Sequence, residues 1–335
     1  MSVISSDYVP PKRLARHSGA RSCFGKVITR RAFLQSLTAT VVPCFAREDR
    51  PIRLAIGTYA MKALPAEEAL RVIARIGYDG VEICLMPGWP TDPAKFGAQD
   101  RRQLRQSLRE TGLAVPALQE SLTITGSVSK RRSNLERLKM ATDLCNELGL
   151  ATRPVIDTIV GGKCADWETS KESIAEELSA WASIATGAGV TICFKPHADQ
   201  AVNTPARALW LLKEVGSPRI RVIYDYSHFY LEGLSLVQSL RELLPYTALI
   251  SLKDSVETDR KHEYLLPGDG KTDYLDYFRL LRKLGYAGFT SVEVSSMIQQ
   301  RPGYDPVDTA RRCYERLAPL MARAGIRPLT PRAAR

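Results

Sequence analysis

From Arg53 onward, short apolar runs alternate with longer segments whose apolar positions recur every three or four residues. The runs begin near residues 53 (RLAIGTY), 79 (DGVEICLM), 113 (LAVPALQ), 152 (TRPVIDTIV), 190, 220, 248 and 288. Runs this short and this apolar read as parallel strands, because helices packed on both faces leave no side for water. The segments between them carry helix punctuation. Pro65 opens AEEALRVIARI and Gly77 closes it, while Thr204-Pro205 opens ARALWLLKEV and Gly216 closes it. LERLKMATDLCNELG sets Leu135, Leu138, Thr142, Cys145 and Leu148 along one helical face, and residues 306–325 form a last helix. Eight strand–helix units fit the roughly 250 residues of a (β/α)8 barrel. No Ser- or Pro-rich linker interrupts residues 50–335, so the fold class is α/β: one barrel domain, assigned to residues 47–335 with its core from about Ile52 to Ala324. A doubly wound open sheet would need a Gly-rich phosphate turn after the first strand, and none is there.

The last four runs are the most informative, because each ends in polar residues: GVTICFKPH, RIRVIYDYSH, TALISLKD and GFTSVEV. Side chains at the carboxyl ends of barrel strands converge on one mouth. Residues two apart on a strand point the same way, which pairs Lys195 with His197 and Asp225 with Ser227. Gly268-Asp269-Gly270-Lys271-Thr272 is not a phosphate loop, since the first glycine of that motif would fall on Leu265. No nucleotide cofactor is expected.

These strand ends, with PGDGKTDYLDYFRLLRKLGYAG between the last two, resemble the xylose-isomerase-like TIM barrels, the sugar phosphate isomerase/epimerase family. The resemblance spans about residues 53–325 and is strongest after Gly189; in the first half, Glu82 in DGVEIC is the familiar strand-end acid. It implies four ligands to one divalent metal, Glu, Asp, His and Glu, at the positions of Lys195, Asp225, Ser251 and Glu293. Two of the four are substituted. It also implies that His228, three residues after Asp225, contacts substrate, with His197 and Lys253 beside it. The remaining three histidines after residue 46 are too few for the trinuclear zinc site of the related DNA-repair endonucleases.

An ammonium repels a cation rather than ligating it. One resolution puts Lys195 where the ion stood, paired with Asp225 and Glu293; the four residues without metal then carry the formal charge of the family set with metal. The other keeps a weak Mn, Mg or Zn site on Asp225, Glu293 and His197, with Lys195 turned to substrate. Three functions stay open. The first is an isomerase, epimerase or related lyase moving a proton beside the carbonyl of a keto-sugar, aldose or glycoside, with Glu293 as acid/base in a mouth that raises its pKa, and Lys195 as electrostatic partner. The second is an aldolase-type enzyme forming an imine on Lys195. The third is a barrel that binds carbohydrate without chemistry. The partner is a small-molecule carbohydrate in each case, and the oligomeric state is open.

The net charge of +11 is concentrated at one end. Residues 1–46 hold Lys12, Arg13, Arg16, Arg21, Lys26, Arg30 and Arg31 against Asp7 alone, and no Lys/Arg run follows. That distribution argues against a nucleic-acid partner. Thr29-Arg30-Arg31-Ala32-Phe33-Leu34-Gln35 resembles a twin-arginine export motif, followed by a charge-free stretch ending at Ala46. Residues 1–46 therefore read as a cleaved signal peptide and the mature chain as periplasmic, with no membrane partner after cleavage. The seven cysteines have no framework spacing and require no disulfide.

Overall fold

The computed structural model describes residues 52–124, 126–258 and 261–326. The expected signal peptide lies outside them. Eight parallel strands close into a barrel in the order β1-β10-β7-β6-β5-β4-β3-β2. They are β1 (Arg53–Gly57), β2 (Gly80–Cys84), β3 (Ala117–Gln119), β4 (Val155–Ile159), β5 (Ile192–Lys195), β6 (Ile220–Asp225), β7 (Thr247–Leu252) and, after a two-stranded antiparallel hairpin of β8 (Asp254–Thr258) and β9 (Lys261–Leu265), β10 (Phe289–Val292). The helices are α1 (Ala66–Ile76), α2 (Ala98–Thr111), α3 (Val128–Glu147), α4 (Trp167–Ala188), α5 (Pro205–Val215), α6 (Tyr226–Leu231), α7 (Leu236–Leu243), α8 (Tyr274–Lys283), α9 (Ser296–Gln299) and α10 (Pro306–Arg323).

The strand expected near 113 shrinks to three residues. Pro116 has no N–H for the ladder, so only an isolated bridge joins Ala114 to Gly80 before it. The hairpin was not legible, because its residues (DSVET and KHEYL) carry no apolar run.

Outward-facing strand residues such as Leu54 and Ile56 meet helix residues such as Leu70 and Ile73 in one continuous core. Each such fully buried side chain contributes about 1.5–3 kcal/mol. Inside the barrel a second cluster holds Ala55, Ala117 and Cys193 with Ile223, Leu249 and Phe289. Phe289 fills so much of that space that a Cβ at Gly80 would stand 2.6 Å from its ring. The pleat then decides what lines the mouth. Two residues beyond this plug on each strand come Glu82, Gln119, Lys195, Asp225, Ser251 and Ser291, with Glu293 two further still; Asp157 is the matching residue of β4.

Candidate active site

Four charged side chains meet at the carboxyl end of the barrel. Asp225 ends β6 and caps α6, its Oδ1 accepting from the Ser227 N–H at 3.1 Å and hydroxyl at 2.7 Å. The cap leaves Oδ2 facing inward, 2.9 Å from Lys253 Nζ and 3.9 Å from Lys195 Nζ. Lys253 Nζ also donates to Glu293 Oε1 at 2.7 Å, and Lys195 Nζ donates to Glu293 Oε2. Two ammoniums therefore hold two carboxylates in a neutral cluster. Lys253, expected among the substrate contacts, is as much part of this cluster as Lys195. The cluster therefore carries a second ammonium beyond the charge balance expected for Lys195, Asp225, Ser251 and Glu293.

His197 and His228 stack with ring centroids 3.8 Å apart. His197 Nδ1 lies 2.8 Å from the Ala198 carbonyl, so it carries the hydrogen, leaving Nε2 as an acceptor. Burial, reinforced by the Lys253 charge, lowers the His197 pKa to about 4 and keeps the ring neutral. His228 is fully buried. The Ala198 N–H donates to its Nδ1 at 3.3 Å, the Tyr264 hydroxyl lies 2.8 Å from the same atom, and Nε2 faces Lys253 Nζ at 3.1 Å. His228, expected as a substrate contact, is not among the residues that line the cleft, whereas Lys253 against its Nε2 is.

A cleft of about 310 Å³ opens above the cluster. Lys195, Lys253, Glu293 and His197 line it, joined by Tyr59, Gln119, Asp157 and, from the hairpin, His262 and Tyr264. Gln119 and Asp157 were missed as site residues. Asp157 had a signal, a lone acid inside the apolar run of TRPVIDTIV. Tyr264 had none, since its position depends on the hairpin.

The carboxyls are tuned in opposite directions. Burial alone would raise Glu293, but the Lys195 and Lys253 ammoniums outweigh it and hold this carboxyl well below the usual range. That reverses the raised pKa expected for Glu293. Burial pushes Glu82 up to about 7 and Asp157 well above its ordinary value; Lys195 opposes both shifts, and Glu293 adds to both. For Lys195 burial works against the charge, yet Glu293, Asp157, Asp225 and Glu82 together raise its pKa and keep it an ammonium.

The donor chemistry does not fit a divalent metal. Both Glu293 oxygens and Asp225 Oδ2 already face ammoniums, and an ion bound there would sit against two like charges. Among the described residues no three His, Cys, Asp or Glu side chains converge as a metal site, so the set of Asp225, Glu293 and His197 does not assemble.

A family model described as "Xylose isomerase-like TIM barrel" matches residues 70–327. The chain belongs to this family. Fructoselysine 3-epimerase of Shigella flexneri is 24% identical over 280 residues, covering 79% of this chain and 96% of its own length. Among solved structures, the 3-keto-D-glucoside 4-epimerase YcjR of E. coli superposes with a TM-score of 0.64 at 18% identity, over 80% of this chain and 99% of that one. A xylose isomerase-like TIM barrel protein of Mycobacterium smegmatis, in complex with magnesium, gives 0.61 at 17% identity over 82% and 97%. Relatives of this xylose isomerase-like barrel thus include sugar epimerases, an inosose isomerase and inosose dehydratases, and the Mycobacterium smegmatis structure holds magnesium. This member places ammoniums among its carboxylates.

Proposed function

We propose that the chain is an isomerase or epimerase that moves a proton at a carbon beside the carbonyl of a keto-sugar, aldose or glycoside. The observation that carries this reading is Glu293, a carboxylate on the cleft wall with an ammonium on each oxygen. In the empty cleft those ammoniums make Glu293 a weak base. A substrate carbonyl oxygen entering the cluster takes over part of their hydrogen bonding, so Glu293 gains basicity when there is a proton to take. Glu293 then removes the proton, and the charge moves onto an oxygen held by Lys195 and Lys253. Neutral His197 accepts a substrate hydroxyl through Nε2.

An imine on Lys195 requires the free amine, and the surrounding carboxylates oppose its release. A barrel that binds sugar without chemistry is separated by turnover. The test is deuterium uptake from D2O into L-ribulose, D-tagatose and other free ketoses, followed by NMR. Wild-type protein should exchange a hydrogen beside the carbonyl of at least one sugar, and Glu293→Gln should not, because an amide takes no proton. Retained exchange in Glu293→Gln removes this residue from the mechanism.

Export by the twin-arginine route belongs to the same proposal, and it favours an unphosphorylated sugar. Replacing Arg30 and Arg31 with Lys should hold the precursor in the cytoplasm; normal cleavage and export of that variant would refute it.

A further inference from the structure

Asp157 lies on the strand diametrically opposite Glu293. Along the closed barrel, β10 and β4 are four strands apart in either direction. Asp157 lines the same cleft and is 1% exposed, and its Oδ2 has no hydrogen-bond partner among the described residues. Its register neighbour on β3 is Gln119, which also lines the cleft and whose Oε1 is likewise unpartnered. Two buried polar atoms side by side, both without partners, are costly at about 1–3 kcal/mol each unless something outside the chain satisfies them. At the cleft wall both oxygens are open to donors from a bound molecule, and the hydroxyl groups of a sugar supply such donors.

We propose that Asp157 is the second proton-handling carboxyl of the site, delivering a proton to the face of the substrate carbon opposite Glu293, with Gln119 accepting a hydroxyl of the same sugar. The inference rests on the carbonyl reading above and deepens it, since it makes the reaction an inversion. Glu293 takes the proton from carbon, and the C–H electron pair forms a C–C double bond while the carbonyl electrons move to an oxygen beside the ammoniums. The electrons then return, and the same carbon takes the Asp157 proton on its other face. The enzyme is left with Glu293 protonated and Asp157 ionised, and exchange with water restores both. Burial raises the Asp157 pKa well above its ordinary value, which favours the protonated acid this step uses; Lys195 opposes the shift, while Glu82 and Glu293 add to it. A carboxyl that holds its proton thus faces one that is ionised, the division of labour that inversion at one carbon requires.

Two measurements on the full-length protein test this. Infrared spectra at pH 7, with carboxyl-labelled aspartate and no sugar present, should show a protonated-acid band that Asp157→Asn lacks. Absence of the band in wild type overturns the proposal. In D2O, with whichever ketose of the panel the wild type exchanges, Asp157→Asn should still place deuterium beside the carbonyl of recovered substrate. It should lose formation of the epimer by about 100-fold or more. Wild-type yields of epimer from Asp157→Asn sink the proposal alone. No exchange by wild type on any sugar sinks the carbonyl reading and this inference with it, so the two failures are distinct.

Discussion

Lys253→Met is the most discriminating stability test of the cluster. The variant removes an ammonium 2.9 Å from Asp225 and 2.7 Å from Glu293 while keeping an apolar stem of similar length. Glu293 retains Lys195, so the damage falls on Asp225. Its Oδ1 stays bonded to Ser227, but Oδ2 is left with His228 Nε2 at 3.5 Å and Lys195 at 3.9 Å, in a side chain with no solvent access. Breaking a buried pair from one side costs about 3–5 kcal/mol, because the abandoned charge stays dry. The surviving Lys195 argues for the lower end, about 3 kcal/mol. At about 2 °C per kcal/mol for a domain of this size, melting falls by roughly 6 °C. Urea unfolding at pH 7 should show the same loss. Asp225→Asn added to Lys253→Met leaves no charge stranded, so the double variant should recover at least about 1 kcal/mol relative to additivity. A loss below about 1 kcal/mol in the single variant, the value of an exposed pair, would refute the buried-cluster argument. Strict additivity in the double variant would do the same.

Other outcomes follow from single features. Glu82 is raised from 4.5 to about 7, so the fold binds its proton more tightly than the unfolded chain does; its contribution is complete below pH 4.5 and is lost as pH rises through 7. That loss is about 3 kcal/mol, and Glu82→Gln should remove this part of the pH dependence of urea unfolding; an unchanged slope between pH 4.5 and 7 rejects the assignment. Glu293 works in the other direction: its depressed pKa gives stability that is present above 4.5 and lost as pH falls below it, a window that Glu293→Gln should flatten in acid unfolding. Gly270→Ala should cost about 1–3 kcal/mol in thermal unfolding, because its Cβ would meet Asp254 Cβ at 2.8 Å; a neutral effect means the turn has room to shift. Calorimetry with Mn²⁺ should find binding in the triple variant Lys195→Glu, Ser251→His, Lys253→Met and none in wild type; binding by wild type would show that the ion can displace the lysines.

The barrel was legible because its strands are apolar and its helices punctuated: all eight barrel strands fall on runs visible in the sequence. Asp225, Glu293 and Lys195 were legible for a related reason, as polar residues that terminate such runs. What failed to show is tertiary. Nothing near His228 reveals that Lys253, 25 residues on, brings its ammonium to 3.1 Å from the ring. The depression of Glu293 required the positions of two lysines, one ending β5 and one just beyond β7. Asp157 and Gln119 sit on the two strands before Gly189, in the half where the family likeness is thin, and only closure of the barrel places Asp157 opposite Glu293.

Lys253 and Asp254 are consecutive, and they face different tasks. Lys253 enters the charged cluster, while Asp254 Oδ2 accepts from the N–H groups of Gly268 at 2.8 Å and Gly270 at 3.0 Å, closing the loop that contains the hairpin. The hairpin is thus a cassette fastened at its root by one residue pair whose register admits no slip: moving the chain by one position would drive a carboxylate into the cluster and leave the glycine turn unlatched. Its far strand, by contrast, reaches the cleft through His262 and Tyr264. A change in the length or sequence of the cassette beyond its root would therefore reshape the cleft wall while leaving the glycine latch and the Lys253 contacts where they are.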